Sequence, residues 1–281
     1  MDDAPHRDPE HADHVRNEAE ADAVNEASHL SARLVYHVVL REGEEELKRP
    51  LAALAWAGLA AGLMISVSVM GKAVLAAHLP DAPWTTYVTA FGYSFGFLLV
   101  ILSRMQLFTE DTITTVLPLL THRDAATLWR VARLWGLVLG ANVAGAFLAA
   151  AFFVYSPALS AEAATAMGDL SLKATSGGAW ENFWRAIPAG VLIAALVWMI
   201  SSGDHEYFFV ITAFTWLIAA GGFQHVIAGS VEMAHVALSG AEDLPALLAR
   251  WFLPVLAGNV VGGTAIFTLA AWGQVRQEVE R

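Results

Sequence analysis

Leu139-Gly140-Ala141-Asn142-Val143-Ala144-Gly145-Ala146 and Leu256-Ala257-Gly258-Asn259-Val260-Val261-Gly262-Gly263 share one pattern: Leu, two small residues, Asn-Val, one free position, Gly and a small residue. Arg133 stands nine residues before Asn142, and Arg250 stands nine before Asn259. The two Asn residues are 117 positions apart, and moving His225 back by 117 reaches Phe108. Both points lie where a long apolar run turns polar. One reads Leu107-Phe108-Thr109-Glu110-Asp111, the other Gly221-Gly222-Phe223-Gln224-His225. The chain therefore reads as two related halves. If each holds three membrane spans, the halves have opposite topology, because three is odd. Inverted repeats with paired interrupted helices point to a transport site near the bilayer midplane.

Composition agrees with a membrane reading. Hydrophobic residues make up 56% of the 281, charged residues 15%, and mean hydropathy is +0.50. An average soluble domain carries roughly 25% charged residues, so most soluble enzymes and disordered chains are excluded. The chain has no cysteine, which excludes disulfides, thiolate metal sites and Cys nucleophiles. A bilayer core needs about 20 apolar residues per helix. Apolar runs lie near 51–78, 85–120, 127–155, 183–201, 207–240 and 248–273, and 85–120 is too long for one span. The expected fold class is an all-α membrane protein: six transmembrane helices as an inverted 3+3 repeat, with spans two and five broken. The stretch 156–182 reads as a loop. Gly258 to Gly263 reads as close helix packing and not as a phosphate loop, because no Lys-Ser/Thr follows.

Residues 1–49 hold 13 acids and 6 bases, so much of the net charge of −11 belongs to this segment. Nucleic acid is not expected as a partner. Residues 1–27 lack the apolar core of a signal peptide and read as a disordered acidic cytoplasmic tail. Its His11-Ala12-Asp13-His14 is a weak metal-binding signal, and no metal or cofactor is assigned. Residues 28–49 read as an amphipathic cytoplasmic helix region, with Ser28 as cap and Leu30, Leu34, His37, Val38 and Val39 as its stripe. That helix is expected at the membrane surface or on a neighbouring subunit. Residues 50–275 form the pore domain and 276–281 a cytoplasmic end. Lys48 and Arg49, then Arg123, Arg130 and Arg133, then Arg276 and Arg281 mark the cytoplasmic side. The connections near 79–84 and 202–206 carry no Lys or Arg, 156–182 carries Lys173, and Arg250 is the exception.

The breaks supply the chemistry. A half-helix N-terminus offers free N–H groups and a partial positive charge. His225 would sit beside such an end, and its charge changes near neutral pH. A protonated ring attracts a small anion or passes it a proton, and the neutral acid then crosses apolar constrictions cheaply. Asn142 and Asn259 either hold the breaks in shape or join helices. Aromatic residues around the breaks, Phe97, Phe108 and Phe223 among them, are candidates for packing or for hydrophobic gates. No nucleophile–base arrangement lies outside the membrane runs, so an enzyme is not expected.

Taken together, these residues resemble the formate/nitrite transporter family over roughly Leu47 to Gln274. Leu107-Phe108-Thr109 is similar to the family's Leu-Phe-Thr loop, and Gly222-Phe223-Gln224-His225 to its Gly-Phe-Glu-His break. The resemblance implies an aquaporin-like protomer with its own pore, assembled as a pentamer in a bacterial inner membrane. It implies passage of formate, nitrite or a similar small monovalent anion, often with a proton. It makes Thr109 and His225 the central polar pair, and Leu107 and Phe108 one constriction. Tyr93, Phe97, Ile218 and Phe223 fall at or near the other, Ile218 standing where the family often has Phe. Asn142, Asn259 and Gln224 are supporting polar residues.

Three departures open an alternative. Glu110 and Asp111 follow Leu-Phe-Thr where the family has small neutral residues, and Gln224 replaces its Glu. An Asn common in its fourth span has no counterpart in Ala194-Ala195. With Glu232, seven positions after His225, the extra acids are candidate selectivity residues that would repel an anion. The competing readings are a pore for a cation, soft metal ion or neutral solute, and a non-conducting membrane scaffold.

Overall fold

The computed structural model describes residues 30–203 and 207–279, and every described element is helical. Helix α1 (Ala32–Glu46) precedes α2 (Leu51–His78), which is interrupted at Ile65, and α3 (Thr85–Leu102). Two short helices, α4 (Phe108–Thr114) and α5 (Val116–His122), complete the second apolar run. Then come α6 (Ala125–Tyr155), α7 (Ala161–Ala174), α8 (Ala179–Ile200), α9 (Tyr207–Ala220), α10 (Val226–Leu238) and α11 (Leu244–Val279). Of the described helices, α2, α3, α6, α8 and α11 are long and apolar enough to cross a membrane. The fifth apolar run is divided between α9 and α10. Such breaks are tolerated at membrane depth only where protein covers the freed backbone or water lines it.

Small residues set the helix pairing. Helix α2 packs on α6, and α8 packs on α11. A Cβ on Gly62 would run into the backbone carbonyl of Asn142, and one on Gly190 into that of Asn259. The same contact thus occurs in both pairs, and both are close enough to require glycine. Helix α11 widens into π-type turns at Leu248–Phe252 and Val261–Thr268. Trp56, Trp129, Trp180 and Phe209 stand exposed on the outside, as expected for surfaces that face lipid or other subunits.

Three expectations need correction. Ser31, not Ser28, caps α1, its Oγ accepting from the Leu34 N–H; Ser28 and the tail 1–27, with its His11 and His14, lie outside the described residues. The buried stripe of α1 is Val35, Tyr36, Val39 and Gly43, whereas Leu30 and Leu34 are exposed. That stripe packs on Ile113, Leu117, Ala194, Val197 and Val275 of the same chain. The connection 156–182 contains α7, capped by Ser160, with Ala163, Met167 and Ser171 buried at a helical spacing.

Candidate pore site

The two breaks have one local structure. Leu107 is the N-cap of α4 at φ −112° and ψ 122°, and His225 is the N-cap of α10 at φ −110° and ψ 121°. Upstream, Arg104 and Gly222 both take the left-handed conformation, at φ 52° and 65°. The following amides donate to equivalent carbonyls, Met105 to Val100 at 3.0 Å and Phe223 to Ile218 at 2.9 Å. The breaks therefore correspond at a separation of 118 residues, with His225 opposite Leu107 rather than the Phe108 reached by counting 117.

Asn142 and Asn259 hold these breaks. Asn142 Oδ1 accepts from the Phe108 N–H at 2.9 Å, and its Nδ2 donates to the Gln106 and Gly58 carbonyls at 2.9 and 2.8 Å. Asn259 Oδ1 accepts from the Val226 N–H, and its Nδ2 donates to the Gln224 and Ala186 carbonyls, each at 2.8 Å. Both side chains are fully buried. Each carboxamide thus satisfies groups that helix interruption would leave orphaned.

The breaks bring Thr109 and His225 together. Thr109 Oγ1 lies 2.8 Å from His225 Nε2, and both residues are buried. His225 Nδ1 accepts from the Ala228 N–H at 3.2 Å, capping its own helix. A neutral imidazole has one N–H, so Nδ1 as acceptor places the hydrogen on Nε2. Nε2 then donates to the Thr109 oxygen and leaves that hydroxyl's hydrogen free to donate elsewhere.

Apolar groups surround this pair. The Phe97 ring meets His225 edge-on at 5.0 Å and contacts Tyr93 at 5.2 Å. Phe108 packs against Trp135 at 5.5 Å, and Leu107 and Ile218 are buried. One cavity borders each break. One, of about 600 Å³, includes Glu42, Glu46, Arg49, Arg104, Gln106 and Glu110 in its lining. The other, of about 220 Å³, includes Lys72, Thr89, Tyr93, Phe223, His225 and Glu232.

The remaining acids fall in three different settings. Glu110 faces the larger cavity with Oε1 unpartnered, while Asp111 is fully buried behind it and accepts from Gln106 Nε2 at 2.5 Å. Gln106 in turn accepts from Arg49 at 2.7 Å, tying the loop to the start of α2. Glu232 pairs with Lys72 across 3.4 Å. Gln224 acts as a brace: its Nε2 donates to the Ala174 carbonyl and its Oε1 accepts from Trp251 Nε1. Outside the spans, burial raises the Glu46 and Glu42 carboxyls above their ordinary range, opposed by hydrogen bonds from Thr114 to Glu46 and from Ser201 to Glu42. Sequence reading missed Lys72, Gln106 and Glu46. A lone Lys in an otherwise apolar span was the available signal for the first. The other two are recognisable only once α1 and the first break are seen to touch. Among the described residues, no group of three or more His, Asp or Glu side chains could hold a metal ion.

Fold and site together define a polytopic membrane protein organised around two interrupted helices. The formate/nitrite transporter family model matches residues 33–273, and the chain belongs to that family. It is thus an integral membrane transport protein. Inner membrane protein YfdC of Escherichia coli (strain K12) is 36% identical over 248 residues, 88% of this chain and 80% of the relative. Formate channel FocA of Haemophilus influenzae (strain ATCC 51907 / DSM 11121 / KW20 / Rd) is 26% identical over 245 residues, 77% of this chain and 84% of the relative. Two solved structures share the fold at 18% identity. An FNT family ion channel has a TM-score of 0.69 over 90% of this chain and 99% of its own. A pentameric formate channel with formate bound has a TM-score of 0.66 over 84% and 98%.

Proposed function

We propose that this chain forms a transmembrane pore for a small monovalent anion or its conjugate weak acid, of the formate or nitrite kind. Each protomer has its own pore in a homo-oligomer, a pentamer, of a bacterial inner membrane. Residues 50–275 are the pore domain, an inverted 3+3 repeat, and both termini are cytoplasmic. The observation that carries this reading is the Thr109–His225 hydrogen bond of 2.8 Å, set among apolar side chains at the meeting point of two broken helices.

In this mechanism Leu107 and Phe108 form one constriction, and Tyr93, Phe97, Ile218 and Phe223 the other. A proton arriving at Nδ1 of His225 breaks the bond from the Ala228 N–H and charges the ring. The charged ring attracts the anion. The Nε2 proton then passes to Thr109 Oγ1 as the Thr109 hydroxyl proton passes to the anion. This leaves a neutral ring protonated at Nδ1 and a neutral acid, which crosses an apolar constriction without the cost of a buried charge. Asn142, Asn259 and Gln224 keep the two ends aligned.

The test is flux of formate, nitrite, chloride and a monovalent cation into proteoliposomes at pH about 5 and about 7.5, on either side of the ordinary His range, with His225→Ala as control. Anion flux that responds to pH and to His225 supports the mechanism. Flux with the same pH response in His225→Ala excludes it.

A second reading, a pore for a cation, soft metal ion or neutral solute, is favoured by Glu110 lining the larger cavity together with Glu42 and Glu46. Glu110→Gln abolishes flux under that reading and leaves or raises anion flux under the first. Liposomes impermeable to every solute tried would point to a non-conducting scaffold.

A further inference from the structure

The smaller cavity contains an ion pair that the Thr109–His225 mechanism does not use. Lys72, from the last two turns of α2, places Nζ 3.4 Å from Glu232 Oε1 on α10. The Lys72 and Glu232 side chains are 17% and 5% exposed. Ionisable groups inside a span are costly and are retained where they face a pathway or a partner. Here they do both, because the pair lines the same cavity as His225. The Lys72 ammonium also lies 5.5 Å from the Tyr93 ring centroid, and Tyr93 leads through Phe97 to His225.

An ammonium has three N–H donors. Glu232 takes one of them, at a long distance, and the Tyr93 face adds attraction for the cation. Two donors are left for a ligand, and a small oxyanion with two acceptor oxygens matches them. Lys173 and Arg185 also line this cavity, and although Glu181 pairs with Arg185 at 3.1 Å, Lys72 and Lys173 still outnumber the single lining carboxylate. The larger cavity is different: Glu42, Glu45, Glu46 and Glu110 face Arg49 and Arg104.

We propose that Lys72 and Glu232 form an anion-docking station in the smaller cavity, where Lys72 binds a monovalent oxyanion before it reaches His225 and Glu232 competes for the same ammonium to keep that binding weak. The geometry supports the competition directly, since the carboxylate occupies one of the donors an incoming anion needs. An uncompensated lysine here would hold the anion too long, and an uncompensated glutamate would exclude it.

This assignment rests on the anion-pore reading, and the experiment separates the two. Formate uptake into proteoliposomes is measured against formate concentration for wild type, Glu232→Gln, Lys72→Met and the double variant Lys72→Met/Glu232→Gln. Each is first checked for an intact oligomer by size exclusion. Glu232→Gln is expected to lower the half-saturating formate concentration about tenfold and to reduce maximal flux, because release slows. Lys72→Met is expected to raise half-saturation by a similar factor. The double variant is expected to pass more formate than Lys72→Met, while its half-saturation stays above that of wild type. If Lys72→Met does not assemble, the near-isosteric Glu232→Gln alone decides. Half-saturation unchanged in an assembled, conducting Glu232→Gln overturns the docking station, as do single variants that shift half-saturation in the same direction. Wild-type liposomes that pass no formate overturn the anion-pore reading itself, and the docking station with it.

Discussion

Asn142 and Asn259 make the same three hydrogen bonds at the two breaks, each accepting from the first amide of a half-helix and donating to two carbonyls. A carboxamide is the smallest side chain that combines an acceptor with two donors, so no apolar residue replaces it. Asn142→Ala and Asn259→Ala each strand one amide and two carbonyls in a buried site. Each should lower stability by about 3–5 kcal/mol, given ~1–3 kcal/mol per unsatisfied group and partial relaxation. Thermal unfolding of the purified oligomer in detergent checks this, and Asn→Asp should recover less than half of the loss.

Thr109→Val removes the acceptor of the His225 Nε2 hydrogen while keeping the shape of the side chain. If protons pass through the hydroxyl, Thr109→Val should reduce formate flux about 10²-fold, within the range for loss of a positioned proton donor. It should also flatten the pH profile as His225→Ala does. A variant with wild-type flux at both pH values would remove Thr109 from the proton path.

Glycine substitutions should separate crowding from backbone strain. Gly222 is at φ 65° with open space around it, so Gly222→Ala pays only for the left-handed conformation, about 1 kcal/mol. Arg104 already holds the equivalent conformation with a full side chain. Gly62→Ala and Gly190→Ala instead drive a methyl into the backbone of Asn142 or Asn259, and should cost about 2–3 kcal/mol through forced separation of the helices. Tm values that rank Gly222→Ala as the most damaging would contradict this packing account.

The partly buried Glu46 carboxyl, raised above its ordinary range chiefly by desolvation, binds its proton more readily in the folded state than in the unfolded state. Its contribution to stability is therefore greatest below the ordinary carboxylate range and is lost as pH rises through the folded value. Glu46→Gln should remove this dependence and raise Tm relative to wild type near neutral pH, with the gap closing in acid. A gap that widens in acid would reverse the assigned sign.

Much of the architecture was legible in the chain. The paired Leu-small-small-Asn-Val stretches marked the two Asn clamps, because hydrogen-bonding side chains in apolar helices stand out against their neighbours. The Leu-Phe-Thr and Gly-Phe-Gln-His stretches marked the breaks for the same reason. The offset of 117 missed the structural correspondence at the breaks by one residue, since the stretch from Leu107 to Asn142 is one residue longer than that from His225 to Asn259. The stripe of α1 was misread as well. With apolar residues on more than one face, only the contact with α4, α5, α8 and α11 decides which is buried.

The sequence by itself determined that the chain is helical and membrane-embedded, and that two of its apolar runs carry polar interruptions. These follow from local quantities: hydropathy over about 20 residues and the cost of placing a polar group in lipid. Tertiary structure decided which polar groups meet. Thr109 and His225 are 116 residues apart and Lys72 and Glu232 are 160 apart, yet each pair is in contact. No spacing rule encodes such contacts, because they arise from separate helices converging on one cavity. Convergence also made the acids unequal: Asp111 turned inward to Gln106, Glu110 faced a cavity, and Glu232 gained a lysine.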